Sequence, residues 1–193
     1  MKIMMVFIMN YLKKYKLLLK LLLFFNIAIS LNINASEVNL SNFKIENNID
    51  GQELFFKQDI SINNNLFQAI QKGIPLKFDI NIKITNLKKF WFNEIIFADK
   101  FSFEIKYRNL LKKYQLRNIE GNYKYFSDIK KLKENINLIK INLGNIVSSE
   151  NTLIEVKVSL DGNQLPKPLQ INRRNDTWNV SSGTYAMKVK EIN

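Results

Sequence analysis

Leu76-Lys77-Phe78-Asp79-Ile80-Asn81-Ile82-Lys83-Ile84 alternates apolar and polar side chains over nine residues. A period of two sends successive side chains to opposite faces, so this segment reads as a strand with one face buried and one wet. Phe101-Ser102-Phe103-Glu104-Ile105-Lys106-Tyr107-Arg108 repeats the pattern, and residues 153–160 place Ile154, Val156, Val158 and Leu160 on one face. Tyr185, Met187 and Val189 alternate near the end. Weaker strand signals lie near 38–45, 52–61, 93–99, 112–119 and 122–126. Short half-buried strands at regular spacing indicate antiparallel sheets and not a parallel α/β fold. The expectation is a mainly β, antiparallel, sandwich-like single domain with two short helices covering an edge or end.

The first helix carries Leu66, Phe67, Ala69 and Ile70, with Asn64 or Asn65 as its cap. Lys72-Gly73-Ile74-Pro75 stops it, because Gly suits a left-handed residue past the last turn and Pro cannot continue a helix. Ser127 caps the second, with Asp128 in its first turn. Ile129, Leu132, Ile136 and Ile139 then form its core-facing stripe.

Composition narrows the chemistry. Among 193 residues there is no cysteine and no histidine. Triads built on His, His or Cys zinc sites and imidazole acid/base catalysis are excluded. Carboxylate pairs remain conceivable, such as Glu94 with Asp99, or Asp79 across a strand, but nothing in the sequence fixes their geometry. They stand among lysines, as on a solvated surface. There is no glycine-rich phosphate loop and no calcium-loop pattern. The expectation is a non-enzymatic protein with no cofactor and no metal.

Lys13, Lys14 and Lys16 precede an apolar stretch over residues 17–31, broken by Lys20, Asn26 and Ser30. Its clean centre is shorter than the ~20 residues that span a bilayer, which suits a signal peptide. Ala35 offers a cleavage site before Ser36, although Ile33 is large for the −3 position. Residues 1–35 thus read as an export signal or an uncleaved N-terminal anchor, and 36–193 as one exported domain, periplasmic or tethered to the inner membrane. Of the +12 formal charge, five positive charges lie in this leader, leaving +7 on the domain. Abundant Lys, Ile and Asn explain that excess as AT-rich codon drift, and export argues against nucleic acid.

Two motifs stand out. Leu165, Pro166, Lys167, Pro168, Leu169 and Gln170 hold two of the three prolines. Alternating prolines bias the chain toward an extended path. The segment is either a stiff partner-binding strip or a rigid crossover between sheet edges, with Leu165 and Leu169 plugging the core. Phe90-Trp91-Phe92 is the densest aromatic cluster. The expectation there, and at Trp178, is a filled core corner; the other reading is an exposed ligand or partner surface. The run Asn179-Val180-Ser181-Ser182-Gly183 reads as a turn or bulge.

Taken in order, Gly73-Ile74-Pro75-Leu76, Trp91-Phe92, Tyr107-Arg108, Phe126-Ser127, the block from Gln164 to Gln170 and Trp178-Asn179-Val180-Ser181-Ser182 resemble the bacterial domain of unknown function 4390 family. The resemblance covers residues 50–188. It implies a proteobacterial exported protein of the kind labelled proline-rich signal peptide protein, and supplies no activity. Gly183-Thr184-Tyr185 departs from the family's acidic-aromatic ending. Two functions are therefore expected as alternatives. One is an envelope interaction module that binds another envelope protein, such as a signalling sensor domain, through a sheet edge or the proline strip. The other is a carrier of an apolar or anionic ligand such as a lipid.

Overall fold

A computed structural model describes residues 38–49, 51–146, 151–171 and 178–189. The leader read over 1–35, and the cleavage expected before Ser36, lie outside the described residues. Among the described residues nine strands form two antiparallel sheets: β1 (Val38–Asn48), β2 (Gly51–Ile60), β3 (Leu76–Asn86), β4 (Glu94–Arg108), β5 (Lys113–Arg117), β6 (Tyr123–Phe126), β7 (Leu138–Gly144), β8 (Thr152–Leu160) and β9 (Tyr185–Lys188). Strands β1-β2-β7 make one sheet and β6-β5-β4-β3-β8-β9 the other. The mainly β, sandwich-like single domain expected from the alternating segments is what the chain adopts.

Alternation does the sorting. In β8 the even-numbered residues from Thr152 to Leu160 are buried and the odd-numbered ones are not. Leu54 and Phe56 from the smaller sheet share one apolar core with Phe78, Ile80, Ile84, Val156 and Val158 from the larger. Each such side chain contributes about 1.5–3 kcal/mol when fully buried. Phe43 stacks on Phe56 at 5.4 Å between centroids and reaches Tyr185 at 6.1 Å, joining the two sheets.

Helices sit where the chain changes sheet. Helix α1 (Asn64–Gln71) leads from β2 to β3, and α2 (Ile129–Ile136) from β6 to β7. Both caps fall one residue from the expected place. Asn63, not Asn64 or Asn65, has the extended backbone of a cap, and its Oδ1 accepts from the Leu66 N–H at 2.9 Å. Asp128, not Ser127, caps α2 by accepting from the Lys130 N–H. Gly73 ends α1 with φ +78°, the left-handed residue that glycine adopts without strain.

The second helix is shorter than its apolar stripe implies. It ends at Ile136, and Ile139 belongs to β7, a strand the sequence reading did not find. Ile136 and Ile139 are both buried, one from a helix and one from a strand. The side chain of Gln58 in β2 donates to the Ile136 carbonyl at 2.8 Å and satisfies an orphan group at the helix end. The segments at 93–99 and 101–108 merge into the single 15-residue β4.

Two ends of the larger sheet follow from β4. Its first residue follows the β3–β4 connection and its last precedes the β4–β5 turn, so these lie about 45 Å apart along the strand. The β1–β2 turn and the β7–β8 connection belong with the former, because Asn48 pairs with Gly51, Gln52 with Gly144, and Asn86 with Thr152. Val38, paired with Ile60 just before α1, belongs with the latter. The residue ending α1, Gly73, lies against the Tyr107 carbonyl and the Asn109 side chain.

Candidate functional site

The β3–β4 connection spans residues 87–93. Its base is closed in three ways. The Leu87 N–H donates to the Asn151 carbonyl at 3.0 Å, the Lys88 N–H donates to Asn93 Oδ1 at 3.2 Å, and Lys88 Nζ pairs with Glu94 at 2.6 Å. That hydrogen bond from Lys88, and its charge, hold the Glu94 carboxyl below the ordinary carboxylate range. Above this base stand Phe90, Trp91 and Phe92, which are 86%, 79% and 89% exposed. Lys89 Nζ sits 5.4 Å from the Phe90 ring centroid, within cation–π range.

The core corner expected for Phe90, Trp91 and Phe92 is therefore overturned. The turn begins where β3 pairing stops at Asn86, beyond the last buried layer, and no sheet among the described residues covers it. Trp178 behaves as expected of a core residue: it is 9% exposed and packs with Val180 in the common core. The structure does not bring Trp178 and the aromatic turn together as one buried cluster.

The proline strip takes neither of its expected forms in full. Leu165 is buried and Leu169 packs partly against the core, as the crossover reading requires. The path is helical, not extended: α3 (Lys167–Ile171) is a short turn in which the Pro166 carbonyl accepts from the Leu169 and Gln170 N–H groups. Pro168 is tolerated there because a first-turn N–H has no helical partner to lose. Gln170 Nε2 donates to the Asn163 carbonyl at 2.9 Å and to the Leu165 carbonyl at 2.5 Å, closing the loop on itself. The crossover connects β8 to β9, neighbours in one sheet, not two sheet edges.

Of the turn or bulge expected over 179–183, the structure shows a bulge. Ser159 of β8 faces Ser181, and Val156 faces Tyr185, so three steps on β8 oppose four on its partner. Ser182 Oγ accepts from the Val158 N–H at 3.0 Å inside it.

The carboxylates do not assemble a dyad. Glu94 is held by Lys88. Asp79 lies on the outer face of β3 with Lys100 Nζ 2.8 Å from one oxygen and Lys77 Nζ 3.9 Å from the other. The hydrogen bond that Lys100 donates to Asp79 raises its ammonium above the ordinary value. Asp99 pairs in register with Ile82, and Asp79 with Ser102. An open groove of about 560 Å³ on this outer face is lined by Asn81, Lys83, Asp99, Lys100 and Lys157, among others. Two of its lysines already have partners, since Lys83 pairs with Glu155 and Lys100 with Asp79. Among the described residues no group of three acidic side chains is placed to hold a metal ion.

A second exposed apolar site was not anticipated. In the β4–β5 turn Leu110 is 100% and Leu111 57% exposed. The Leu111 N–H donates to the Arg108 carbonyl at 3.1 Å, and Lys112 takes a left-handed φ of +49°. Arg108, Lys112 and Lys113 flank the leucines, and among the described residues none of the three forms an ion pair. The signal in the sequence is that Leu110-Leu111 interrupts the period of two between strands and is bracketed by cations. Among the described residues no helix is long and apolar enough to cross a membrane.

No curated protein and no solved structure matches the chain. The family model described as domain of unknown function (DUF4390) matches residues 35–188, a longer span than the motifs alone suggested. With nearly all of the folded domain matched, the chain belongs to the DUF4390 family.

Proposed function

We propose that the domain is a non-enzymatic interaction module of the cell envelope that engages another envelope protein through the turn carrying Phe90, Trp91 and Phe92. The observation that supports this is three adjacent aromatic side chains standing in solvent on a turn whose base is pinned. Such rings bury roughly 150–250 Å² each when covered, and soluble proteins rarely leave a contiguous patch of that size open without use. Aromatic anchors lose little conformational entropy on binding and dominate interface energetics. Of the local cations, Lys88 is paired with Glu94 and Lys89 lies over the Phe90 ring. A pocket in a protein partner, such as a sensor domain, suits that arrangement. The proline strip is the weaker contact surface, because Leu165 is committed to the core and Gln170 to the loop's own carbonyls.

The carrier alternative rests on the outer-face groove. Its paired lysines leave the lining of mixed charge, which favours an anionic ligand less than the aromatic turn favours a protein. Native mass spectrometry of the exported protein would reveal a carried lipid.

The test is photo-crosslinking in cells, with the photoreactive residue at position 91 or at position 167. A partner adduct from 91 that disappears when Phe90 and Phe92 become alanine is the expected result. An adduct formed only from 167 would return the contact to the proline strip, and no adduct from 91 would sink the proposal.

A further inference from the structure

The unanticipated turn has a chemistry different from the aromatic one. Leu110 and Leu111 project beyond the end of β4, and Arg108, Lys112 and Lys113 surround them without described counter-charges. Exposed aliphatic side chains ringed by unpaired cations match an anionic lipid surface, which offers acyl chain to the leucines and headgroup phosphate to the cations. Lys112 adds a second sign. A lysine in the left-handed region is strained relative to glycine or asparagine, yet a cation stands there.

Position in the fold selects the occupant. Val38, the first described residue of the domain, pairs with Ile60 just before α1, and Gly73 at the end of α1 lies against Asn109. The chain thus enters the domain at the same end as this turn. Only residues 32–37 separate Val38 from the apolar stretch ending at Leu31. Fully extended, that link reaches about 25 Å at most. A chain that keeps its leader in the bilayer therefore holds this end of the domain near the headgroups.

We propose that the β4–β5 turn, with Leu110 and Leu111 as its apolar tip and Arg108, Lys112 and Lys113 as its cations, is a contact site for an anionic membrane surface. Docked this way, β4 carries the Phe90–Trp91–Phe92 turn away from the bilayer. The site orients the domain as well as attaching it.

The absence of cysteine makes the test clean. Single-cysteine variants of the full chain, Leu110→Cys and Trp91→Cys, are labelled with a small fluorophore. They are then reconstituted into vesicles of phosphatidylethanolamine and phosphatidylglycerol containing headgroup-depth spin-labelled lipid. Strong quenching at 110 with little at 91 is expected. It should be lost in phosphatidylcholine vesicles and in the background Arg108→Gln, Lys112→Gln, Lys113→Gln. Both labels sit on exposed side chains, and an unchanged thermal melt shows that the variants fold. Quenching at 91 that equals or exceeds quenching at 110 would make the aromatic turn the membrane end and overturn the proposal. So would absence of quenching at 110, or quenching there that ignores both lipid charge and the three substitutions.

Discussion

Lys88 and Lys89, in the connection that leads into β4, are both engaged, one by Glu94 and one by the ring of Phe90. Arg108, Lys112 and Lys113 at its far end have no described ion-pair partner. Both ends expose large apolar side chains next to cations, and a count of residue types would score them alike. What separates them is wiring. Where the cations are engaged locally, one by a carboxylate and one by a ring, the aromatic surface itself is left to do the binding. Where charge is left open, long-range attraction to an anionic surface acts first and the leucines follow. The same comparison explains why the two ends can be altered separately: the buried layer between them, from Phe78 to Ile84 on β3 and Ile154 to Leu160 on β8, belongs to neither.

The sharpest structural difference between the ends is backbone packing. Near the aromatic end Gly51 has φ +121°, and a β-carbon there would lie 2.9 Å from two backbone atoms of Gly144. The absence of a side chain at Gly51 lets the β1–β2 turn approach the end of β7 this closely. Gly51→Ala must move one strand and strain its own backbone, costing about 2–3 kcal/mol, read as a fall in Tm. A variant as stable as the parent would mean that this approach is not a constraint. Lys112→Gly at the basic end should act with the opposite sign. Relief of the left-handed strain should stabilise the domain by about 0.5–1 kcal/mol, while quenching at position 110 on anionic vesicles weakens. A substitution that stabilises and strengthens membrane contact together would separate the strain from the function proposed for this turn.

How far these ends could be read in the sequence depends on periodicity. Residues 76–84 and 153–160 alternate without interruption, and they form β3 and β8, adjacent interior strands of the larger sheet. β7 was hidden because Ile136 and Ile139, three apart, imitate a helical stripe, although a strand begins between them. The tertiary tie from Gln58 to the Ile136 carbonyl, 78 residues away in sequence, marks that break and has no local trace. Aromatic content suggested burial for both Trp91 and Trp178. Trp178 lies in the buried core and Trp91 does not, and whether a turn projects past the core is a fact of register and length, not of residue type. The prolines misled for a related reason: Pro166 and Pro168 fit the first turn of a helix as well as they fit an extended strip. The family was legible because its motifs recur in order along the chain.

Because the aromatic rings are already in water, removing them should cost the fold little. Changing Phe90, Trp91 and Phe92 together to alanine is expected to shift stability by no more than about 0.5 kcal/mol while abolishing the crosslink from that turn. A large drop in Tm would mean that the rings pack on something in the folded protein and are not held ready for a partner.

The smallest expected effects are those of pH, and they separate the ends from salt-driven behaviour. Glu94 is held below its ordinary value by the hydrogen bond and charge of Lys88. Its contribution is therefore present above the unfolded value of about 4.3 and fades as pH falls through the folded one. Lys100 is raised by its hydrogen bond to Asp79, so its contribution is present below about 10.4 and fades only as pH rises through the folded value. Neither window reaches neutrality, and the chain has no histidine or cysteine to titrate there. Crosslinking from position 91 and quenching at position 110 should both stay flat between about pH 5.5 and 8.5. Salt should split them. The screening length contracts from about 10 Å at 0.1 M to about 3 Å at 1 M, so quenching at 110 should fall steeply while the aromatic crosslink persists. Equal sensitivity at the two ends would mean that the uncompensated charge of Arg108, Lys112 and Lys113 does not distinguish them.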